Sequence, residues 1–490
     1  MPSSELSETK RQLLARYLRG DRSVESAASI LACRPAGKPA CLSVAQECMW
    51  RHMRENRGLT CYNEPITVYR RGSLDVSLLE RSFTELVQRH EAWRTTFTEV
   101  DGEPVQVIHE KAADVVFAKS DIRHLVEAER EGRAIWLASQ DACIPIDLER
   151  GPLFRTRLVR LADDEYRLFA TVHHIILDGV TVFDIFFSEL VAFYNALSAG
   201  EAPVLPELPV QFADFAYWHR QRLRGELLNR ELAYWRRQLA AMSECSELPT
   251  DFPRPLKKTY RGAIQSFALT KAESDALRNF SQRQSVTVFT ILVAAFVALL
   301  YRHGLQRDIT VGTVTPGGRK NPQLQHVMGL LQNRVPLRID LAADPTIREL
   351  LVRVRDVISE SLCHDDVPFE IIAGELWTTS DSSRSPFFQT MISLEPRVPD
   401  VGPGWGFTTM DAQPGGARLD LYIEIDDRPE GMLGRAQYNS DLFTEETILR
   451  IVRDLRAMLV TLIANPEERL SALVPPTVAA FGGPIAAACN

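Results

Sequence analysis

Residues 171–179 read TVHHIILDG and join a predicted strand, Tyr166–Val172, to a predicted amphipathic helix, Thr181–Leu197. The two histidines and Asp178 therefore lie at the end of an element, where functional side chains are often mounted on a rigid scaffold. A neutral imidazole can accept the proton of an attacking amine or hydroxyl, because its pKa lies near neutral pH. The spacing indicates either a general base with a supporting acid or a hydrogen-bonded structural cluster, and leaves both open.

A metal site is the third interpretation of these residues, and it is the least favoured. No third ligand lies nearby in the sequence, and the eight cysteines include no CxxC pair. Dispersed cysteines of this kind are typical of a reduced, cytosolic protein. We therefore predict no metal and a cytoplasmic location.

Helical and strand-like patterns alternate on both sides of this stretch, which predicts two α/β lobes of about 200 residues each. The other predicted helical segments are Leu78–His90, Phe212–Leu239, a helix from Lys271, Val286–Tyr301 and Glu445–Ala464. The other predicted strands are Val105–Ile108, Phe154–Leu161, Gly262–Leu269 and Asp308–Val314.

Composition shifts predict the domain boundaries. Residues 1–40 are expected to form an N-terminal helix (Ser7–Arg19) and a linker, and residues 473–490 a disordered tail. The two lobes are assigned to residues 41–215 and 216–472, close to a proline-rich stretch at 202–209.

Several classes of function lack their sequence marks. The net charge of −8 disfavours a nucleic-acid binder. Val286–Tyr301 is shorter than the roughly 20 residues of a membrane span, so a buried core helix is expected there. There is no GxSxG, P-loop or HExxH motif, and the GxGxG at residues 402–406 is interpreted as a loop.

The segment HHIILDG resembles the HHxxxDG signature of nonribosomal-peptide condensation domains, which belong to the chloramphenicol-acetyltransferase-like superfamily. Further segments resemble the other motifs of that family in the same order, over about residues 30–465. They are LSVAQ through Trp50, RHEAWRTTF (89–97), FADFAYW (212–218), GLLQNRVPLR (329–338), HDDVPFE (364–370), SRSPF (383–387) and YNSDLF (438–443). Four residues differ from those usual in the family: Leu177, Arg334, Glu47 and Cys48. These differences put the acceptor preference in doubt, but not the activity.

The resemblance implies an α+β sandwich fold, with two lobes in a V and the active site in a tunnel between them. It implies that His174 is the catalytic base or orienting group and that His173 is structural. Asp178 is expected to pair with an arginine, for which Arg94 and Arg319 are the candidates.

The resemblance also implies that the Gly179 amide helps to stabilise an oxyanion, and it places Asn333 in the second lobe near the tunnel floor. None of these roles follows from the spacing of the residues alone.

The activity implied is transfer of an acyl group from a phosphopantetheinyl carrier-protein thioester to a small-molecule amine or hydroxyl, giving an amide or an ester. No bound cofactor, nucleic acid or membrane is expected. Because adenylation motifs and a carrier serine are absent, we expect an enzyme that works with a separate carrier protein. We expect it to be free-standing, with excision from a larger synthetase as the alternative. An acyl-CoA-dependent acyltransferase and a non-catalytic recruitment module are the alternatives.

Overall fold

The structure is a computed structural model that describes residues 31–473, apart from 32, 36, 38, 241, 243–245, 305, 380 and 408–411. The predicted helix Ser7–Arg19 and nearly all of the predicted tail lie outside the described residues.

The first half of the described chain runs from β1 to a helix that begins at Phe212. Its elements are β1 (Ala40–Cys41), α1 (Val44–Glu55), β2 (Asn63–Arg71), α2 (Val76–Arg89), β3 (Thr95–Val100), β4 (Glu103–Ile108), β5 (Ala118–Asp121), α3 (Glu127–Ala142), β6 (Phe154–Ala162), β7 (Glu165–His173), α4 (Phe187–Ala199) and α5 (Phe212–Arg222).

The second half begins with another helix. Its elements are α6 (Gly225–Gln238), β8 (Gly262–Ala268), α7 (Lys271–Gln284), α8 (Val288–Gly304), β9 (Asp308–Thr315), β10 (Asn333–Asp340), α9 (Ile347–Cys363), α10 (Phe369–Leu376), β11 (Thr390–Glu395), β12 (Trp405–Phe407), β13 (Leu421–Arg428), β14 (Gly431–Asn439) and α11 (Glu445–Ala464).

The strands form one main sheet for each half. The first sheet has the order β12-β2-β7-β6-β5 and the second β10-β9-β11-β13-β14-β8, while β1, β4 and β3 make a small third sheet. Strand β7 is buried on both faces along nearly its whole length, as its apolar run predicts. The architecture is mixed α/β with one main sheet for each half, as the alternating patterns predict.

Two large hydrophobic cores accompany the two main sheets. One is built mainly from residues 31–216 and the other from residues 223–473. Helix α8 lies in the second core with eleven consecutive buried residues, so the buried helix predicted from the sequence is confirmed.

One helical segment of the described chain, Thr181–Ala199, is long and apolar enough to cross a membrane. The bent pair α7 and α8 passes the same test only if it is counted as one span. Since 56% of its most apolar 18-residue stretch is buried inside the protein, the first segment is accounted for as a core helix.

Two sequence predictions need correction. The segment Phe212–Leu239 is two helices, because the chain leaves helical geometry at Leu223 and Arg224. The GxGxG segment is not only a loop, since Trp405–Phe407 pairs with β2 at the edge of the first sheet. Trp405 and Phe407 pack into the first core, and a side chain at Gly406 would lie 2.5 Å from the Tyr69 ring.

The second half therefore completes the first lobe. Besides β12, the apolar residues Leu324, Val327, Met328, Leu330 and Leu331 pack into the first core. The boundary between residues 215 and 216 remains a prediction. Strand β12 and the segment 324–331 lie after this boundary but pack into the first core.

Candidate active site

A cavity of about 160 Å³ lies where the HHIILDG stretch meets the second half of the chain. His174 and Gly179 line it from the first half, and Asn333, Glu395 and Arg418 from the second. Three of the predicted site residues, His174, Gly179 and Asn333, are thus brought to one cavity.

The turn that carries the histidines is held from the side by helix α1. Gln46 closes the capping box at the start of this helix, where its Oε1 accepts from the Ser43 amide at 3.1 Å. Its Nε2 donates to the Ile175 carbonyl at 3.0 Å. One buried side chain thereby fixes both the helix start and the turn after β7.

His173 ends β7 and is completely buried. Its Nδ1 accepts the backbone N–H of Ile175 at 3.2 Å, and its ring lies 5.8 Å from that of Tyr62. Burial and then the charge of Arg418 lower the pKa of His173 to about 3. The ring is therefore neutral at working pH and shapes the turn.

His174 begins the next turn and lines the cavity. Its backbone N–H donates to the Tyr62 carbonyl at 2.8 Å, and its Nδ1 is enclosed with no hydrogen-bond partner among the described residues. Nε2 is then the nitrogen that faces the cavity. Burial, followed by the charge of Arg418, holds the pKa of His174 well below its usual value, so its ring is a neutral proton acceptor.

Asp178 is fully buried and forms a bidentate ion pair with Arg319. The two hydrogen bonds measure 2.8 and 3.0 Å. Arg94, the other candidate, donates to the carbonyls of Gln88 and His109. Arg94 is therefore not the partner of Asp178, because it is the last residue of a short turn (Glu91–Arg94) that directs it to the end of α2 and the residue after β4.

Four more hydrogen bonds reach Asp178. The Thr181 amide and hydroxyl donate to it at 2.8 and 2.9 Å, and the Leu331 and Gln332 amides at 3.1 and 3.2 Å. Asp178 thus joins the histidine turn to a segment of the second half. These contacts give the Asp178 carboxylate a structural role.

Gly179 departs from the expected role of oxyanion donor. Its amide donates to Gln332 Oε1 at 3.1 Å and is therefore already occupied. A Cβ at this position would lie 2.2 Å from Glu395 Oε2, so a larger residue here would push the Glu395 carboxyl aside. The residue allows the two halves to approach closely at the cavity.

Asn333 lies at the start of β10 and lines the cavity as well. Its Nδ2 donates to the carbonyls of Asp365 and Val367 at 2.9 and 2.7 Å. Its Oδ1 accepts the Phe369 amide at 3.0 Å. Asn333 therefore fixes the HDDVPFE loop against the cavity wall.

Sequence reasoning missed most of the charged residues of the cavity, which are Glu64, Glu370, Glu395, Glu424, Arg334, Arg418 and Arg435. Arg418 pairs with Glu64 at 3.0 Å, Arg334 with Glu370 at 2.8 Å, and Arg435 with Glu424. A signal for some of these residues was present in the sequence, because Glu395 and Glu424 are acidic residues within apolar strands.

No group of three His, Cys, Asp or Glu side chains suited to a metal ion occurs within the described ranges. The cavity instead presents a neutral imidazole, carboxylates and guanidinium groups.

Comparisons with known proteins agree with this geometry. The model of the family described as Condensation domain matches residues 38–478. One of the linear gramicidin synthase proteins of Brevibacillus parabrevis is 37% identical over 465 residues, 94% of this chain and 6% of that protein.

Two solved structures show the fold. The X-domain from teicoplanin biosynthesis, solved in complex with OxyB, has a TM-score of 0.76 and 28% identity, and covers 92% of this chain and 98% of that one. The first condensation domain of the calcium-dependent antibiotic synthetase has a TM-score of 0.80 at 19% identity, and covers 90% of this chain and 100% of that one.

Proposed function

This chain belongs to the Condensation domain family, and from that premise we propose that it transfers an acyl or aminoacyl group from a carrier-protein thioester to an amine or hydroxyl acceptor. The observation that supports this most is the neutral His174 ring, whose Nε2 faces a cavity lined by both halves. Amide formation is the product class expected first, and ester formation the second.

The proposed reaction is a direct displacement. The acceptor nitrogen or oxygen attacks the thioester carbonyl, and His174 Nε2 takes the proton that it loses. The C–S bond of the tetrahedral species then breaks, and the phosphopantetheine sulfur leaves and takes up the proton. No covalent acyl-enzyme is required.

The partners are part of the proposal. The chain spans 6% to 9% of the length of the three linear gramicidin synthase proteins that it resembles. We propose a separate carrier protein as donor, its phosphopantetheine arm as substrate handle, no bound cofactor and a cytoplasmic location.

A second candidate function is binding of a partner protein without catalysis. The likeness to the X-domain solved with OxyB favours it, since that match also covers nearly the whole chain. The cavity with an accessible His174 favours transfer instead.

The test is a panel of acyl and aminoacyl groups loaded on phosphopantetheinylated carrier proteins. Each donor is mixed with amines and alcohols, and products are identified by mass spectrometry. A matched set of acyl-CoA donors separates carrier-dependent from CoA-dependent transfer. Product from carrier donors supports the proposal, while carrier binding without any product supports the second candidate.

A further inference from the structure

The charges that line the cavity do not balance. Four carboxyl side chains face three guanidinium groups, and each guanidinium already holds one carboxylate, as described above. Glu395 is the carboxyl left over: within the described part of the chain, no arginine, lysine or histidine lies within ion-pair distance of it.

Glu395 ends strand β11 and is only 7% exposed. Its Oε1 accepts from the Ser393 hydroxyl at 2.7 Å, and Ser393 is 2.8 Å from the Tyr422 hydroxyl. Its Oε2 has no hydrogen-bond donor among the described residues and points to the place where a Gly179 side chain would be. One oxygen is therefore anchored, and the other lies beside Gly179 at the cavity without a donor.

A buried carboxylate without a partner is unfavourable, and burial followed by repulsion from Glu424 raises the pKa of Glu395 well above its usual value. A cation next to Oε2 would relieve both effects. A second oxygen lines the same cavity, since Gln332 Oε1 accepts the Gly179 amide there. The Glu395 oxygen that lacks a donor suits an ammonium group, which has several donors and no acceptor.

We propose that Glu395 determines substrate specificity by binding a protonated, non-reacting amino group on one of the two substrates. This rests on the proposed function, since it names the class of substrate for the same cavity. The bound group would replace the missing cationic partner, and the substrate would be a diamino acid or a similarly basic acyl or acceptor unit. Chemistry at His174 would proceed elsewhere on the same substrate.

Binding of stable pantetheine amides tests this without turnover. The probes are ornithinyl-pantetheine amide and norvalyl-pantetheine amide, measured by calorimetry on wild type, Glu395→Gln and Glu446→Gln. Ornithine adds one ammonium to a similar carbon chain. Glu446→Gln removes the same charge from the exposed start of α11 and serves as the matched control.

We expect wild type and Glu446→Gln to bind the ornithinyl probe about tenfold or more tighter than the norvalyl probe. Glu395→Gln should bind the two equally with an unchanged urea-unfolding midpoint. Equal affinities in wild type, no binding of either probe, or a preference retained in Glu395→Gln would overturn the inference. Failure of the proposed function would give a different result: the protein would prefer the ornithinyl probe in binding but transfer no acyl group in the panel.

Discussion

The ion pair between Asp178 and Arg319 should contribute more to stability than any surface pair, because removing one partner leaves the other charge buried. The two side chains are 0% and 5% exposed. We expect Asp178→Leu and Arg319→Met each to lower the free energy of unfolding by about 3–5 kcal/mol. That is a large part of the roughly 5–15 kcal/mol that stabilises a typical folded protein.

The double variant removes both charges together. Its loss should be smaller than the sum of the single losses, by about 1–3 kcal/mol, because neither charge is left unpaired. Arg319→Lys keeps the charge but loses the two-pronged contact, so its loss should be intermediate.

The assay is urea unfolding followed by tryptophan fluorescence and far-UV circular dichroism, since two cores require a check that both probes report one transition. The exposed pair Arg236 and Glu375, 51% and 53% exposed, is the control and should cost at most about 1 kcal/mol. Single losses as small as this control, or losses that add fully in the double variant, would show that neither charge is left buried and unpaired by removal of the other.

Two further predictions concern the histidine turn. Gly179→Ala should slow transfer by up to about 10²-fold, because its Cβ would lie 2.2 Å from Glu395 Oε2 and would displace this carboxyl within the cavity. With substrates that carry no second amino group, Glu395→Ala in the same chain should restore part of the rate. An unchanged single-turnover rate in Gly179→Ala would contradict this. The pKa of His173 is 6.5 in the unfolded chain and about 3 in the folded protein. The unfolded state therefore binds the proton first, and the free energy of unfolding falls as the pH drops from 6.5 towards 3. Wild type should lose up to about 1.4 kcal/mol per pH unit more than His173→Gln over that range, and parallel urea-unfolding curves of the two proteins at pH 7, 6 and 5 would show that His173 does not titrate in this way.

Local periodicity was enough to predict elements whose burial is decided within one segment. Helix Glu445–Ala464 has the predicted bounds, and the strand Tyr166–Val172 is one residue longer at each end. Apolar spacing in such segments fixes both the element type and the face that is buried.

Contacts between distant segments could not be predicted in this way. Arg319 is 141 residues from Asp178, and nothing in the spacing separates it from Arg94. The strand Trp405–Phe407 is only three residues long and takes its conformation from pairing with β2. Glu395 is unusual only because the other carboxylates of the cavity have partners, which the sequence does not show.

Proton acceptance by His174 is tested by the single-turnover rate of acyl transfer in wild type and His174→Ala. The donor is a carrier-bound thioester accepted in the panel, and circular dichroism checks that the variant is folded. We expect a rate about 10²–10⁴-fold lower in His174→Ala, with carrier binding retained. Equal rates in the two proteins would contradict this expectation.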